Sequence, residues 1–247
     1  MSRYTAVYKL ILALVIVFVL FAFTGSLTNT NRSKIVAKKK IVSVLKSNID
    51  AKIESVYNTL KSNQFEMPSQ VCFGEALKGF YSLQEKGIVK SNILTLVDFS
   101  LSSNVKRLWI IDLSSNLVLF QTLVAHGRNT GEEFANNFSN TPESFKSSLG
   151  FYVTGEVYNG KHGVSLKLDG LEKGLNNNAR NRAVVLHGAD YVSESFIKNH
   201  KRLGRSQGCP AVPVGCVSEI ISMIKGHSCL YIYHPSILKS KGNNLIS

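Results

Sequence analysis

The chain has 247 residues, of which 44% are hydrophobic and 18% are charged, so it is long enough for one substantial domain with an apolar core. Its formal net charge of +13 favours polyanionic partners such as nucleic acid, anionic lipid or an acidic wall polymer. The basic residues are spread along the chain without a helix-turn-helix, zinc-finger or RNA-recognition signature. This argues against nucleic-acid binding and leaves an anionic cell envelope or membrane surface as the expected partner.

Residues 1–27 have the pattern of an export segment. Arg3 and Lys9 precede an uninterrupted apolar run from Leu10 to Phe23, and small and polar residues follow it. This order is typical of a secretory signal peptide. Because no Ala-x-Ala cleavage site follows the run, an uncleaved membrane anchor is the alternative. Either interpretation predicts export of the remaining chain to the cell envelope (periplasm), secreted or anchored by the N-terminal helix.

A basic helical segment and a linker follow over residues 28–66. Apolar residues recur at steps of three or four from Val42 to Leu60, which predicts a helix with one apolar face, and lysines crowd its first half. In one interpretation this helix contacts an anionic membrane surface, and in the other it packs on the following domain. The residues around Pro68 break the pattern and predict a linker.

Residues 67–236 are predicted to form the main domain, which begins with a helix. Apolar residues between Phe73 and Tyr81 line one face of this helix, and Gly87 is expected to end it. The next apolar run, 93–99, is interpreted as a short helix or a turn. Residues 237–247 are polar and are expected to form a tail.

Strands are predicted after Val105. Two apolar runs joined by Ser-Ser-Asn form an expected hairpin, and Trp109 in the first of them is expected in the core. Short strands with few helices among them predict a mainly-β fold with some helix, a β-sandwich or barrel-like core preceded by N-terminal helices. The predicted strands are LWIIDL, LVLFQTLVA, FYVTGEVY, GVSLKLDGL, AVVLHGA and CLYIYHP.

One cysteine lies in a glycine-rich turn that follows a buried strand. The run AVVLHGA places His187 at the end of the strand, and the turn LGRSQGC presents Cys209. A thiol becomes nucleophilic when a base removes its proton, and a nearby imidazole serves as that base. Gly208 permits close approach of a substrate, and the Cys209 N–H is suited to bind an oxyanion. The pattern alone leaves an inert buried cysteine, half of a disulfide or a metal ligand open.

Longer stretches of the chain resemble a known family. Ser-Gln-Gly-Cys at 206–209, with His-Gly at 187–188 upstream, resembles the Ser-x-Gly-Cys signature of the L,D-transpeptidases of bacterial cell walls. The wider match, over residues 70–236, resembles the subgroup of murein L,D-transpeptidase catalytic domain proteins. Its matching stretches include ALKGFYSL, DFSLSSNVKRLWIIDL, LVAHGRNTG and LGRSQGCPAVP. The resemblance implies the mostly-β sandwich of that family.

The resemblance also implies a cysteine acyltransferase that needs no cofactor or metal and acts on peptidoglycan stem peptides. In this reading Cys209 attacks a stem-peptide carbonyl, while His187 takes the thiol proton and later protonates the leaving D-amino acid. An amine that resolves the acyl-thioester gives a transpeptidase, and water gives an L,D-carboxypeptidase. Ser206, Gly208 and Gly188 are the implied supporting residues or oxyanion donors.

The chain departs from the better-known members of that family next to the nucleophile. Gln207 stands where many of them have a His, which leaves the substrate contacts open. Arg205 is a candidate clamp for a substrate carboxylate, and His126, at the end of a predicted strand, is a candidate lining residue of the same cleft. Other residues that either face the cleft or belong to turns are Tyr152, Tyr158, His162, Asn177, Asn178, Arg180 and Arg182.

The other cysteines and the order of the motif bear on the alternatives. An exported chain permits a disulfide between two of Cys72, Cys216 and Cys229, but spacing does not select the pair. No C-x-x-C or paired-ligand spacing indicates a zinc site. A catalytically silent cell-wall-binding protein of the same fold stays open. A different cysteine peptidase of the cell wall also stays open, although papain-like peptidases place their Cys before their His.

Overall fold

The computed structural model describes residues 48–240. The export segment predicted over 1–27, most of the basic helical segment and the end of the polar tail lie outside the described residues. The chain divides into two compact units, 1–52 and 53–247. In the first unit, the described residues 48–52 are helical. No helix within 48–240 is both long and apolar enough to cross a membrane.

The described part of the second unit is built on one mixed sheet of eight strands. The strands are β1 (Ile93–Asp98), β2 (Leu108–Asp112), β3 (Leu117–Thr122), β4 (Gly150–Gly160), β5 (Gly163–Gly170), β6 (Val185–Gly188), β7 (Ala211–Val212) and β8 (Cys229–Tyr233). Their order across the sheet is β3-β2-β1-β8-β4-β5-β6-β7. The pairs β1–β8 and β6–β7 are parallel, and the other neighbours are antiparallel. The predicted hairpin is β2–β3.

The two edges of the sheet meet at a seam. Beyond β3 the chain reaches Ala125, which forms an antiparallel bridge with Ala211 of β7 through N···O distances of 2.8 and 3.4 Å. A second, parallel bridge of the seam joins Gly127 to Ser206. Because hydrogen bonds connect the two edges, the sheet is nearly closed into a barrel. The predicted mainly-β fold with some helix is confirmed, and its strands belong to one curled sheet.

Helices flank the sheet within the described residues. They are α1 (Gln70–Glu85), α2 (Glu194–His200), α3 (Val217–Ile224) and α4 (Ser236–Ser240), and residues 53–59 are also helical. α1 begins where the Ser69 hydroxyl accepts a hydrogen bond from the Cys72 N–H at 3.3 Å. Gly87 follows the end of α1 with a φ of 69°, a conformation that favours glycine. The predicted end of this helix is therefore confirmed.

The run 93–99 contains a strand, so the prediction of a short helix or turn there was wrong. β1 lies between β2 and β8, inside the sheet, and all its residues except Ile93 are buried. A strand that is covered on both sides lacks the alternation of apolar and polar residues that marks a half-buried strand. β7 was also missed, because its two residues are too few to form a sequence pattern.

The segment around Pro68 is held against the sheet. Trp109 is 2% exposed, which confirms its predicted place in the core, and its indole N–H donates to the Glu66 carbonyl at 2.7 Å. The side-chain oxygen of Gln121 accepts from the Glu66 N–H at 3.1 Å. The Tyr57 hydroxyl donates to the Pro68 carbonyl at 2.9 Å. The segment predicted as a linker is thus held by hydrogen bonds at Glu66 and Pro68.

A buried asparagine ties the loop after β5 to β4. The Asn176 amide nitrogen donates to the carbonyls of Leu149 and Phe151 at 3.0 and 2.9 Å. Its side-chain oxygen accepts from the Glu172 N–H at 2.8 Å. Asn176 is 0% exposed, so removing its side chain leaves backbone groups without these partners in a site away from bulk solvent.

Asn176→Ala is expected to lower the free energy of unfolding by about 3 kcal/mol, because it leaves buried backbone groups without partners. Urea denaturation followed by circular dichroism measures this loss. Asn136→Ala is the matched control, since Asn136 is exposed and its change should cost less than about 0.5 kcal/mol. Equal denaturation midpoints for the two variants would contradict a structural role for Asn176.

Candidate active site

The parallel pairing of β6 with β7 brings the two predicted catalytic residues to the same cleft. His187 lies in β6 and pairs with Ala211 of β7, and Cys209 lies two residues before β7 begins. His187 and Cys209 both line a cleft of about 480 Å³. Its other lining residues include Glu143, Phe145, Tyr158, Lys161, His162, Arg182, Tyr191, Arg205, Ser206 and Gln207.

The Cys209 thiol is partly exposed in the cleft. Its sulfur donates to the Ala183 carbonyl at 3.7 Å. Burial raises the pKa of the Cys209 thiol, while a hydrogen bond from the Val185 backbone and the charges of Arg182 and Lys161 oppose that rise. The cysteine therefore needs a base to become a nucleophile at neutral pH.

His187 is oriented as a neutral base. Its Nδ1 lies 2.9 Å from the Gly188 carbonyl, which only accepts hydrogen bonds, so the proton is assigned to Nδ1 and the Nε2 lone pair is left available. Burial lowers the pKa of His187, the Gly188 bond opposes this, and the charges of His162 and Lys161 lower it further. Gly188, a predicted supporting residue, thus contributes its carbonyl oxygen.

Ser206 shapes the loop that carries the nucleophile. Its hydroxyl donates to the Cys209 carbonyl at 2.6 Å and accepts from the Gly208 N–H at 2.9 Å. Gly208 has a φ of 125°, and a Cβ there would lie 2.8 Å from the Lys146 carbonyl oxygen, so the position requires glycine.

The predicted oxyanion donors are therefore not equivalent. The Gly208 N–H is already bonded to Ser206, which corrects the expectation that it is free to bind an oxyanion. Within residues 48–240, the Cys209 N–H has no hydrogen-bond acceptor. Of the two amides, only the Cys209 N–H is thus available for a substrate oxyanion.

His126 lies behind the catalytic loop and does not line the cleft, contrary to the expectation from its place at a strand end. It is 1% exposed, its Nδ1 accepts from Arg107 at 2.9 Å, and its Nε2 lies 3.2 Å from the Gly131 carbonyl. Burial, followed by the charge of Arg107, lowers the pKa of His126 to about 4. Its backbone carbonyl accepts from the Ser206 N–H at 3.0 Å. The residue therefore supports the loop through its backbone.

The other two predicted substrate contacts line the cleft. Gln207 is exposed there. The Arg205 guanidinium donates to the Glu132 carboxylate at 2.6 Å and to the carbonyls of Arg128 and Gly131 at 3.1 and 3.2 Å. Arg205 is thus held by its neighbours, and a substrate carboxylate would have to share it with Glu132.

The structure adds residues that sequence reasoning did not assign. Lys161, in the turn between β4 and β5, was not singled out, and Arg182 was left as either cleft wall or turn. Arg182 lines the cleft and donates to the carbonyls of Ser139 and Lys146 at 2.8 and 2.6 Å. No spacing in the sequence relates these cations to Cys209, because they reach the cleft from separate loops.

Cys72, Cys216 and Cys229 are not among the residues that line the cleft. All four cysteines of the chain are free, and Cys72 and Cys229 are buried. In the part of the chain that the structure describes, no group of three or more His, Cys, Asp or Glu side chains is placed to hold a metal ion.

Tyr152, a candidate residue of the cleft, is buried, and its hydroxyl donates to the Ser148 carbonyl at 3.0 Å.

A thiol and a neutral imidazole in one cleft are the pair that nucleophilic acyl transfer requires, and here they lie on a mainly-β barrel. Residues 65–233 match the family described as L,D-transpeptidase catalytic domain, so the chain belongs to that family. No curated protein sequence matches the chain.

Solved structures of low sequence identity are similar to parts of the chain. An L,D-transpeptidase from Mycobacterium smegmatis has 10% identity and a TM-score of 0.36 over 58% of this chain and 59% of that one. The helical cell shape determining protein Pgp2 from Campylobacter jejuni has 12% identity and a TM-score of 0.39 over 63% and 55%. An L,D-transpeptidase from Stackebrandtia nassauensis has 12% identity and a TM-score of 0.36 over 75% and 90%. The chain spans less than two thirds of the length of the first two proteins.

Proposed function

We propose that the protein is a peptidoglycan L,D-transpeptidase or L,D-carboxypeptidase that acts on stem peptides through an acyl-thioester on Cys209. Membership of the L,D-transpeptidase catalytic-domain family supports the reaction class. The observation that carries the proposal is the shared cleft, in which the Cys209 thiol accompanies a histidine whose Nε2 has no hydrogen-bond partner among residues 48–240. The proposed chemistry uses only side chains and backbone amides of this chain.

The first half-reaction forms the acyl-enzyme. His187 Nε2 accepts the thiol proton as the sulfur of Cys209 attacks the carbonyl carbon of the L-centre residue. The Cys209 N–H donates to the oxyanion of the tetrahedral intermediate. Collapse of the intermediate breaks the C–N bond, and His187 returns the proton to the nitrogen of the leaving D-amino acid. Burial lowers the pKa of His187 and raises that of Cys209, so both shifts favour the neutral forms before substrate binds.

The second half-reaction resolves the thioester. His187, neutral again, accepts a proton from the incoming nucleophile, which attacks the acyl carbon, and the departing Cys209 sulfur recovers a proton from His187. An amine of a second stem peptide yields a cross-link, whereas water yields a shortened stem peptide. The cleft is open to solvent around exposed residues such as Gln207 and Lys161, so both acceptors have access.

The proposed place of action is the cell envelope. The export pattern in residues 1–27 and the lysines after it support a periplasmic enzyme that is either secreted or anchored. A net charge of +13 supports attraction to an anionic envelope or membrane surface. Peptidoglycan stem peptides are accessible in that compartment, where the acyl donor and the acceptor amine both occur.

Mass spectrometry of the full chain after incubation with a disaccharide-tetrapeptide tests the proposal. The expected result is a mass gain equal to the acyl fragment, with release of one D-amino acid, and loss of the adduct when an amine acceptor is added. A disaccharide-tripeptide is the control, because it lacks the terminal D-residue and should give no adduct.

Two other outcomes would replace the proposal. A chain that gives no adduct, and whose Cys209 resists a small alkylating agent even at alkaline pH, would indicate a silent cell-wall-binding protein. Cleavage of existing cross-links without attack on the tetrapeptide would indicate a different cysteine peptidase of the cell wall.

A further inference from the structure

The turn of the β4–β5 hairpin reaches over the cleft. β4 ends and β5 begins at the paired glycines Gly160 and Gly163, which leaves Lys161 and His162 as the two turn residues. Gly163 has a φ of 74°, a conformation that favours glycine and allows the chain to reverse within two residues. Both turn residues line the cleft and are exposed.

The pairing of β5 with β6 sets this turn beside the proposed base. Ser165, near the start of β5, pairs with His187 of β6. The imidazole of His162 stacks on the imidazole of His187, with ring centroids 4.5 Å apart and an angle of 25° between the planes. One face of the base is therefore covered by a second histidine that the proposed reaction steps do not use.

The ring stack restricts a rotation of the His187 imidazole that its hydrogen bond leaves free. The bond from Nδ1 to the Gly188 carbonyl fixes one ring atom but leaves the ring free to swing about it. A ring stacked on one face restricts that swing and keeps Nε2 pointing in one direction. The positive charge that His162 carries when protonated also disfavours protonation of the ring beside it.

We propose that His162 is a positioning residue for His187, whose imidazole it holds in place by ring stacking. This inference rests on the proposed role of His187 as the base. Gln207 next to the nucleophile is exposed and takes no part in the histidine stack.

Several titratable or charged groups surround His187 in the cleft. They come from the β4–β5 hairpin, the loop before β6, the segment after β6, the catalytic loop and the loop before β4. These groups are Tyr158, Lys161, His162, Arg182, Tyr191, Arg205, Cys209 and Glu143. Of these groups, the charges of His162 and Lys161 act on His187 to lower its pKa.

The test compares two substitutions in the full chain. His162→Ala removes the stack and the charge, and kcat for acyl transfer is expected to fall about tenfold with little change in KM. His162→Phe keeps the stack without the charge, so kcat is expected to stay within about twofold of the wild type. His200→Ala is the matched control, because His200 is an exposed histidine stacked on Phe196 at 4.0 Å outside the cleft.

Titration of the histidine ring protons by NMR gives a readout that needs no substrate. The pKa of His187 is expected to rise in His162→Phe, which loses only the charge, and to rise further in His162→Ala, which also exposes the ring. The acidic limb of the kcat profile should move to higher pH in the same order. His200→Ala should change neither quantity.

Distinct results would overturn the two proposals. If His162→Ala retains wild-type kcat and the pKa of His187 is unchanged, His162 does not position the base. A fall in melting temperature alone would also overturn the inference, since it indicates a structural role. If the wild type forms no acyl adduct while NMR shows the expected coupling, the proposed function falls and the coupling stands.

Discussion

Cys209→Ala is expected to abolish release of the D-amino acid from a tetrapeptide and to leave no acyl adduct on the protein. Of the sulfur atoms in residues 48–240, the substitution removes the only one that lines the cleft, while His187 keeps its bond to the Gly188 carbonyl. Loss of a nucleophile lowers kcat by roughly 10³-fold or more, because the remaining donors only polarise the substrate. Chromatographic assay of the released amino acid measures the effect.

A second cysteine provides the matched control. Cys216 is partly exposed like Cys209, but its sulfur donates to the Pro213 carbonyl at 3.4 Å and lies outside the cleft. Cys216→Ala is expected to keep kcat within about twofold of the wild type. A similar fall of kcat in both variants would mean that removal of a thiol acts through stability. Wild-type activity in both variants would assign the chemistry to another group.

Arg107→Met is expected to lower the free energy of unfolding by about 4 kcal/mol, a large part of the stability of a typical domain. Arg107 is 0% exposed and lies over the Phe99 ring at 4.8 Å. Its guanidinium donates to the carbonyls of Leu101 and Val124 at 2.6 and 3.0 Å and to His126 Nδ1 at 2.9 Å. Methionine fills the volume but leaves these buried acceptors without donors.

Urea denaturation measures this loss, with Arg180→Met as the control. Arg180 is exposed and pairs with Asp169 and Glu156 at 2.6 Å, so its removal should cost about 1 kcal/mol or less. Equal losses of unfolding free energy in the two variants would mean that the buried bonds of Arg107 contribute no more than the exposed ion pairs of Arg180.

The dependence of stability on pH tests the contact between Arg107 and His126 in a second way. The pKa of His126 is lowered from 6.5 to about 4, so the unfolded chain binds the extra proton first, and stability is lost as pH falls from 6.5 toward 4. Arg107→Met removes one cause of the lowered pKa and should make this loss smaller. An unchanged pH dependence would mean that the Arg107 charge does not act on His126.

Six of the eight strands were predictable because they are bounded by turn residues. β2, β3, β4, β5, β6 and β8 were all anticipated from short apolar runs. The glycine-rich turn identified Cys209. Although Cys209 and His187 are well separated in sequence, the pairing of β6 with β7 brings them to the same cleft. β1 was misread for the opposite reason, since burial on both sides removed the alternation that reveals a strand.

The parts of the cleft that escaped prediction depend on long-range contacts. His162 was noted only as a residue of the region, because its stack on His187 arises from the β5–β6 register. The occupied Gly208 N–H follows from the rotamer of Ser206, which no sequence pattern specifies. His126 was expected to line the cleft from its place at a strand end, but its ring is buried and bonded to Arg107, a long-range contact that the sequence does not reveal.

The seam between the two edges of the sheet is expected to form late in folding. The β2–β3 and β4–β5 hairpins join neighbours in sequence, whereas the Ala125–Ala211 bridge closes a long loop of chain. Contacts of large sequence separation are slow to form, so we expect this closure late in folding. Until it occurs, Ser206 is not paired with Gly127 and the loop that carries Cys209 is not docked. We therefore expect the loop that carries Cys209 to take its final arrangement only in the folding step that closes the barrel.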